Sequence, residues 1–459
     1  MTLYAYCFVS LVAALLLGNL LYRLTRGRRR TQIWFNTAVL ALLCAFIVAM
    51  DGAPATYLGV ANVNPLSAFF MLLFTLGMLL VNVLAHGHSQ EYPDFALLGS
   101  FALVGAYLVA SGGSLVVVFL GLETVSVPTA FIMLASRKRA VEPAVKFFVM
   151  SSVALAVMSF AIVMVYGATG SVAVAPQQQS ALLAFAAALF IASLGAGASV
   201  FPFCAFAPDV YQGAEAHVAA MLGGVNKGVW LAALIQIAML LFVFSGFAFG
   251  LIEILAALTM LFGSLVALMQ NNLRRMLAYA SISQAGYVLV AISAESAQGV
   301  AGGFFLMFAQ AFVLIGALGI VAWLERNGRD GVDDLIGLYK ENGLAAAALS
   351  VFLLSIVGLP FTAGFVGEFA VFAGALGSGL LWLAVVGAFS AALTAYCFAR
   401  AITSAYTDKA DAKRMKIDAP TAAVVVFCLL LTILLGVYPQ PLFGMAQSAS
   451  GYLFGILVH

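Results

Sequence analysis

Charged residues are scarce in this chain: 8% of its 459 residues are Asp, Glu, Lys or Arg, and 64% are hydrophobic. Soluble globular domains carry about 25% charged residues, so the composition excludes an ordinary soluble protein. With a mean hydropathy of +1.11, the chain is predicted to be an integral membrane protein. Its net charge of +2 is too small to indicate a nucleic-acid partner.

Clustered cysteines and phosphate-binding loops are also missing. The cysteines lie singly within apolar runs and form no C-x-x-C pair, which argues against iron–sulfur or zinc binding. No glycine-rich loop follows a strand pattern, so nucleotide binding lacks support. We therefore expect no cofactor in this chain and assign any redox chemistry to partner proteins. The cysteines are Cys7, Cys44, Cys204, Cys397 and Cys428.

Long apolar runs make up most of the chain. About 20 apolar residues span a bilayer as a helix, and the runs predict an all-α membrane protein with about fourteen transmembrane helices. The seventh run contains Pro202 and continues into a segment with Pro208, and the twelfth contains Pro360, so both are predicted to be broken helices. The runs cover approximately 3–22, 33–50, 65–85, 95–111, 114–136, 144–167, 181–206, 215–244, 248–270, 277–294, 299–324, 343–376, 379–400 and 419–438.

Lysine and arginine are distributed unevenly between the connections. Of the 20 such residues, eighteen lie in odd-numbered connections and none in even-numbered ones. Because positive residues concentrate in cytoplasmic loops, we expect the odd-numbered connections to face the cytoplasm. Both termini then lie outside, and the number of crossings is even. The remaining two, Lys146 and Lys227, fall within apolar runs.

Four ionisable residues mark a candidate path through the membrane: Glu123 in the fifth predicted helix, Lys146 in the sixth, Lys227 in the eighth and Glu368 in the twelfth. A charge at the bilayer centre costs about 2.5–3.5 kcal/mol on insertion scales and usually serves an ion or proton path. Carboxylates and amines suit a proton relay because burial and a nearby opposite charge shift their proton affinities in opposing directions. For Lys146, nearer a helix end, a structural ion pair or an interfacial position is an equally good interpretation.

Further polar residues could hold water or admit protons. His217 and Glu215, at the start of the eighth helix, could admit protons from the cytoplasm, although a surface role explains them equally well. Arg274 and Arg275 are interpreted mainly as a lipid-facing anchor. The candidates for holding bridging water are Ser126, Ser281, Ser283, Gln284, Tyr287 and Thr362, and Tyr287 is also a candidate for proton access.

The two predicted breaks suggest an internal repeat. Helices 4–8 and 9–13 each make a five-helix unit whose fourth member is broken, and an odd repeat length inverts the second unit. We therefore predict four parts. They are an N-terminal three-helix segment at 1–90, a first repeat at 95–245, an inverted second repeat at 248–405, and a C-terminal helix and tail at 406–459.

Six stretches between about residues 115 and 370 together resemble the antiporter-like membrane subunits of proton-pumping NADH:quinone oxidoreductase (respiratory complex I), most closely subunit N. They read "FLGLETVSVP", "EPAVKFFVM", "YGATGS", "FAPDVYQGA", "NNLRRMLAYASISQAGY" and "GLPFTAGFVGEF". The resemblance implies fourteen helices, two inverted repeats, two half-channels and an axis of charged residues. In that scheme Glu123, Lys146 and Lys227 match the glutamate of helix 5 and the lysines of helices 6 and 8. Glu368 takes the helix 12 position, where subunit N usually has lysine.

The chain departs from the family pattern at three positions. Gly197 stands where the family has the helix 7 lysine that pairs with the helix 5 glutamate, and Cys204 and Gln284 replace histidines. Glu123 must therefore find another partner or remain protonated for longer. The nearest candidate cations are Lys146 and Lys227.

The leading interpretation is a proton-translocating membrane-arm subunit of a complex I-type NADH (or other donor):quinone oxidoreductase, located in a bacterial or archaeal inner membrane. Flavin, iron–sulfur clusters and quinone are expected in partner subunits, and the other partners are membrane-arm subunits and lipid. One alternative is the equivalent subunit of a membrane-bound hydrogenase or of a multisubunit cation/proton antiporter. Another is an arm subunit that has lost pumping and only seals and connects the arm. A free-standing solute transporter is disfavoured, because no ligand-selective polar cluster accompanies the charges.

Overall fold

The computed structural model describes residues 2–25, 29–50, 55–57, 61–88, 92–136, 140–174, 180–241, 246–408 and 414–458. These residues are almost entirely helical, which confirms the predicted all-α membrane fold. Many of the predicted cytoplasmic charges, together with His459, lie outside the described residues, and the side chain of His88 is also outside them.

The first six helices form the N-terminal segment and the start of the predicted first repeat. A two-stranded antiparallel hairpin, β1 (Ala55–Tyr57) and β2 (Ala61–Val63), connects the second helix to the third. The sequence analysis did not predict these strands. The helices are α1 (Thr2–Thr25), α2 (Arg29–Ala49), α3 (Pro65–His88), α4 (Tyr92–Ser111), α5 (Leu115–Ser136) and α6 (Val141–Thr169).

The seventh predicted helix is broken, as the prolines indicated. α7 (Ala181–Gly197) ends before an irregular segment that contains Pro202, and α8 (Ala207–Gly213) begins with Pro208 in its first turn, where proline is tolerated. The eighth predicted helix comprises α9 (Ala216–Met221), a π-helical turn at Leu222–Asn226 and α10 (Lys227–Leu241).

The remaining helices contain the second predicted break. α15 and α16 are separated at residues 358–362, the segment with Pro360, and Gly358 there has a positive φ of 81° that favours glycine. The helices are α11 (Gly246–Leu268), α12 (Leu273–Ser293), α13 (Ala297–Arg326), α14 (Leu338–Glu341), α15 (Gly343–Val357), α16 (Ala363–Gly377), α17 (Leu381–Tyr406), α18 (Ala419–Val437) and α19 (Gln440–Val458).

In the region predicted to be a C-terminal helix and tail, α18 is followed by a further helix, α19, which packs against α3, α10 and α13. Among the described residues, twelve helices are long and apolar enough to cross a membrane, and α7, α15 and α16 are shorter apolar helices. α19 is not among the twelve. The number of crossings therefore stays a prediction.

The centre of the molecule is built from α12 and α13, whose membrane-length spans are completely buried. α13 packs against α3, α16, α18 and α19, whereas only 17% of the α1 span and 33% of the α6 span is buried. Polar side chains on α12 and α13 are thus removed from lipid and must find partners within the protein.

Two isolated β-bridges occupy corresponding places in the predicted repeats. Ser114 pairs with Ala173 and so joins the start of α5 to the segment after α6. Asn272 pairs with Gly331 and joins the start of α12 to the segment after α13. Each bridge links the second and third helices of its five-helix unit.

Close helix contacts repeat in the same way. A Cβ at Gly105 or Gly121 would lie less than 3.0 Å from the backbone of the facing helix, so α4 and α5 pack backbone to backbone. Gly263 and Gly286 play the same part between α11 and α12. These correspondences support two related units, but the domain boundaries and the inversion stay predictions.

Ion pairs join residues that lie next to several odd-numbered connections, at one end of the bundle. Lys146 near the start of α6 and Arg275 at the start of α12 both reach Asp209 in α8. Arg274 pairs with Glu325 near the end of α13. The connections that precede α6 and α12 and follow α8 and α13 therefore share one face, as alternating crossings require.

Candidate functional site

Lys227 lies at the centre of the bundle, where the π-helical turn ends and α10 begins. Its side chain is buried, and Nζ donates to the carbonyl oxygen of Ser281 at 2.5 Å and to the Ser281 hydroxyl at 3.3 Å. Within the described residues its amine has no carboxylate partner.

Two cavities flank Lys227. The first, here called the glutamine cavity, is lined by Lys227, Ser281, Gln284 and Gln310, together with apolar residues of α10, α12 and α13. The second, here called the α7 cavity, is lined by Lys227, Asn226, Ser199, Gly197 and Trp230 among others. Both have room for water beside polar groups. Lys227 is therefore accessible to water from two sides of the same helix.

Gln284 joins the glutamine cavity to Glu368. Ser281 and Gln284 are three residues apart on α12 and so lie on one face of that helix. The Gln284 amide nitrogen donates to Glu368 Oε1 at 3.0 Å and to the Ile356 carbonyl at 2.7 Å. The structure thus places Lys227, Ser281, Gln284 and Glu368 in one buried row.

The break between α15 and α16 creates the site of Glu368. Gly358 adopts its positive φ directly beside the Glu368 carboxylate, and a Cβ at this position would overlap the carboxylate oxygen Oε2. α15 ends at this turn, so the Ile356 carbonyl is free of an intrahelical partner and accepts from Gln284. The helix break therefore supplies both the space for the Glu368 carboxylate and the carbonyl group that accepts from Gln284.

Gln310 is a second buried amide of the glutamine cavity. Both its amide atoms, and the Gln284 oxygen, lack a hydrogen-bond partner within the described part of the protein. Buried polar atoms of this kind are normally satisfied by water when a cavity adjoins them. Water in this cavity would connect Lys227 with Gln284.

Glu123 stands apart from this row. It is half-buried on α5, and its carboxylate has no ion-pair or hydrogen-bond partner among the residues that the structure describes. The exposed side chains of Leu120 and Phe131 lie along the same helix. Glu123 therefore lies at the edge of the buried interior.

Lys146 was a candidate partner for Glu123, and that hypothesis is wrong. Its ammonium group lies 2.9 Å from carboxylate oxygens of both Glu142 and Asp209, and Asp209 also binds Arg275. Lys146 is partly exposed at this cluster. The ion-pair interpretation of Lys146 thus describes its contacts, and a role in proton entry stays a prediction.

The structure describes the positions of all the residues predicted for proton access. His217 is fully buried, 3.4 Å from Glu215 and edge-on to Phe95, so the surface role considered for it is wrong. Tyr287 is buried and donates to the carbonyl of Gly387 at 3.0 Å.

The lipid-facing role expected for Arg274 is also wrong. Its side chain is buried, pairs with Glu325, and donates to the carbonyls of Tyr211 and Ala214 at the end of α8. The guanidinium group therefore satisfies the last carbonyls of the broken helix, which have no intrahelical partner. Arg275 reaches Asp209 and Gln212, so it too binds protein rather than anchoring in lipid.

Residues 112–394 match the family described as "NADH:quinone oxidoreductase/Mrp antiporter, TM". This match covers more than half of the chain. The chain belongs to this family. It is 34% identical to NADH-quinone oxidoreductase subunit N 1 of Solibacter usitatus over 93% of this chain and 92% of the relative. It is 32% identical to F(420)H(2) dehydrogenase subunit N of Methanosarcina mazei over 85% and 84% of the two chains.

Solved structures show the same fold. A chain of respiratory complex I from Thermus thermophilus is 27% identical, with a TM-score of 0.84 over 95% of this chain and 98% of that one. A chain of the Mrp complex from Dietzia has a TM-score of 0.92 over the whole of both chains at 21% identity, which shows the fold alone. The architecture is therefore that of antiporter-like membrane subunits.

Gly197 is predicted to take the place of the family's helix 7 lysine, and in the structure Trp230 packs directly against it. A Cβ at Gly197 would overlap the indole of Trp230, which is 1% exposed. Trp230 therefore fills the space that a longer side chain on α7 would need.

Sequence reasoning missed three residues of the site. Asn226 and Gln310 line the cavities, and Thr129 on α5 binds Asn226. Each is an amide or hydroxyl inside an apolar run. Asn226 and Thr129 are 97 residues apart along the chain, so spacing alone could not group them. The one available signal was the cost of burying an amide without a partner.

Proposed function

We propose that this chain is a proton-translocating membrane-arm subunit of a complex I-type oxidoreductase, and that Lys227 and Glu368 exchange protons through the glutamine cavity. The observation that carries the proposal is the buried row in which Ser281 and Gln284 of α12 contact Lys227 of α10 and Glu368 of α16. Each end of the row is a titratable group, and the middle is polar but cannot itself change charge. Protons therefore cross the middle through water held by the two glutamines.

The remaining predicted relay residues take places at the ends of this path. Lys146, Glu142 and Asp209 form a partly exposed cluster on the face that we assign to the cytoplasm, and this cluster is where protons enter. Glu123 lies on the side of α5 that is open to a neighbouring subunit or lipid. Tyr287 lies one turn beyond Gln284 on α12 and gives access on the Glu368 side.

Partner proteins supply the redox chemistry in this proposal. The relatives named as subunits of NADH-quinone oxidoreductase and F(420)H(2) dehydrogenase support a place beside other membrane-arm subunits. Flavin, iron–sulfur clusters and quinone belong to those partners. This chain contributes no redox centre and acts as a non-redox subunit of the enzyme. Its place is the inner membrane of a bacterium or archaeon, with the N-terminus outside.

A subunit that has lost pumping is the second candidate, and the Gly197–Trp230 contact favours it. That contact removes the position of the family's helix 7 lysine. The intact row from Lys227 to Glu368 favours pumping, because a purely structural subunit has no need to bury an amine and a carboxylate. A cation/proton antiporter or hydrogenase subunit would use the same row with different partners.

Replacing Glu368 with glutamine tests the proposal. The amide keeps the size of the side chain but cannot release a proton, so Glu368→Gln should lower the number of protons pumped per electron in vesicles that contain the intact complex. Asp408→Asn is the matched control, since Asp408 binds Lys340 at the exposed surface. An unchanged proton-to-electron ratio in Glu368→Gln would contradict the relay role.

A further inference from the structure

The contact between Trp230 and Gly197 leaves Glu123 without a route through α7. A relay that includes Glu123 needs some other polar connection to Lys227. A connection runs along α5 itself and crosses to the π-helical turn.

The polar side chains of α5 wind from its open edge to its buried face. Glu123, Ser126 and Thr129 follow each other at intervals of three residues, which is about 60° short of one helical turn and about 4.5 Å along the axis. Glu123 is half-buried, Ser126 is 2% exposed and Thr129 is fully buried. The Ser126 hydroxyl has no hydrogen-bond partner within the described residues. The three residues form a polar ladder that leads inward.

Asn226 continues this ladder to the central lysine. Its amide nitrogen donates to the Thr129 hydroxyl at 2.8 Å, and it is 3% exposed. Its amide oxygen is buried and has no partner in the part of the chain that the structure describes. Asn226 and Lys227 both line the α7 cavity. An unsatisfied acceptor in a cavity beside an amine is a site for water.

The π-helical turn is what brings Asn226 into this position. In a regular α-helix the residues from Leu222 onward would be rotated differently about the axis, because a π turn adds one residue to the ring of each hydrogen bond. Asn226 ends the turn and Lys227 follows it directly. The same irregularity therefore sets the direction of both side chains.

We propose that Asn226 is a positioning residue that links Glu123 to Lys227 through Ser126, Thr129 and water in the α7 cavity, in place of a lysine on α7. The proposal rests on the proton-relay function proposed above. A proton leaves the carboxylic acid of Glu123, moves through water held by the Ser126 hydroxyl and the Asn226 amide oxygen, and is taken up by the neutral amine of Lys227; the Thr129 hydroxyl, which donates to the Val125 carbonyl, holds the Asn226 amide in place. Glu123 ends as a carboxylate and Lys227 as an ammonium ion, so the charge is balanced. Asn226 keeps its protons throughout and orients the water.

The test compares variants of Asn226 and Thr129 in the intact complex, reconstituted in vesicles. Asn226→Leu and Thr129→Val remove the polar groups with little change in volume. Both should lower the ratio of pumped protons to transferred electrons to the value measured for Glu123→Gln. Thr129→Ser keeps the hydroxyl, so its ratio of pumped protons to transferred electrons should be at least half of the wild-type ratio. Recovery by the hydroxyl alone is not expected of a residue that serves only packing.

Thr432→Val is the matched control. Thr432 is also buried and also donates to the carbonyl four residues earlier, at the same 2.7 Å as Thr129, but it lies on α18. It should keep the wild-type ratio. If Asn226→Leu does not assemble, Thr129→Val against Thr129→Ser decides the question alone.

The outcomes separate this inference from the proposed function. A wild-type ratio in Thr129→Val, while Lys227→Ala is impaired, would overturn the Asn226 route and leave the relay intact. Equal losses in Thr129→Val, Thr129→Ser and Thr432→Val would overturn it too, since they would reflect packing. A wild-type ratio in Lys227→Ala would contradict the proposed function itself.

Discussion

At the scale of single residues, the site depends on pairs of positions that adjust to each other across helices. Gly197 has no side chain and Trp230 fills the space above it, whereas Gly358 leaves space that the Glu368 carboxylate fills. The sequence identified Gly197 as a departure from the family and Glu368 as a relay candidate. It could not identify what covers either glycine, because the covering groups come from other segments of the chain.

We expect Gly197→Ala to destabilise the protein because the added methyl group would overlap the Trp230 indole. Overpacking of a filled interior typically costs about 1–3 kcal/mol. Gly195→Ala is the control on the same helix, since its Cβ would lie 3.5 Å from Val200, an ordinary contact. The apparent melting temperature of the purified complex should fall for the first variant and not for the second. Equal melting temperatures would mean that Trp230 moves aside at no cost.

At the scale of elements, the broken helices were predictable and their consequences were not. Pro202, Pro208 and Pro360 indicated both breaks, because proline removes a backbone donor and interrupts the helix. The π-helical turn has no comparable signal in the sequence. The sequence also does not predict α19 as a helix, because its polar residues interrupt the apolar run. Lys146 pairs with Glu142 and Asp209 instead of Glu123. Glu142 is one helical turn away, whereas Asp209 is 63 residues away along the chain and could not be found from spacing.

The buried guanidinium of Arg274 holds the end of α8 against α12 and α13. We therefore expect its removal to disturb the whole segment in which the seventh predicted helix is broken. Arg274→Met removes the donors to two carbonyls and leaves the Glu325 carboxylate without this partner. Breaking such a pair costs up to about 3–5 kcal/mol when it is fully buried, and the partial exposure of Glu325 lowers that figure.

The amount of assembled complex measures the effect. Arg274→Met should assemble poorly, and Arg275→Met should assemble better, because Arg275 is more exposed. The double variant Arg274→Met/Glu325→Leu should recover part of the loss, since it leaves no unpaired charge. Failure of the double variant to improve on Arg274→Met would show that capping of α8, and not the ion pair, is the main role.

At the scale of the whole molecule, the composition and the proline positions predicted the membrane fold, and the motifs predicted the family. The shared face of the connections next to α6, α8, α12 and α13 agrees with alternating crossings. The side of the membrane on which this face lies rests on the distribution of Lys and Arg. α19 is a further helix that the prediction of about fourteen transmembrane helices did not include.

Single cysteines in a cysteine-free background would determine the orientation. We expect residues in 51–64 and 167–180 to react with an impermeant thiol reagent from outside, because the charged connections on the opposite face should be cytoplasmic. A cysteine in 409–416 should react only from the cytoplasm. The reverse pattern would contradict the orientation, and a cysteine at the C-terminus would show whether α19 crosses the membrane.

The central claim is that protons pass through Lys227. It is tested most directly by proton pumping and electron transfer measured together on vesicles with the intact complex, with Lys340→Ala as a control that removes an exposed lysine. Lys227→Ala removes the one amine that borders both cavities, so the account predicts a clear fall in the proton-to-electron ratio with the complex still assembled. Lys340→Ala should keep the wild-type ratio. A wild-type ratio in Lys227→Ala, at wild-type electron transfer, would contradict the account.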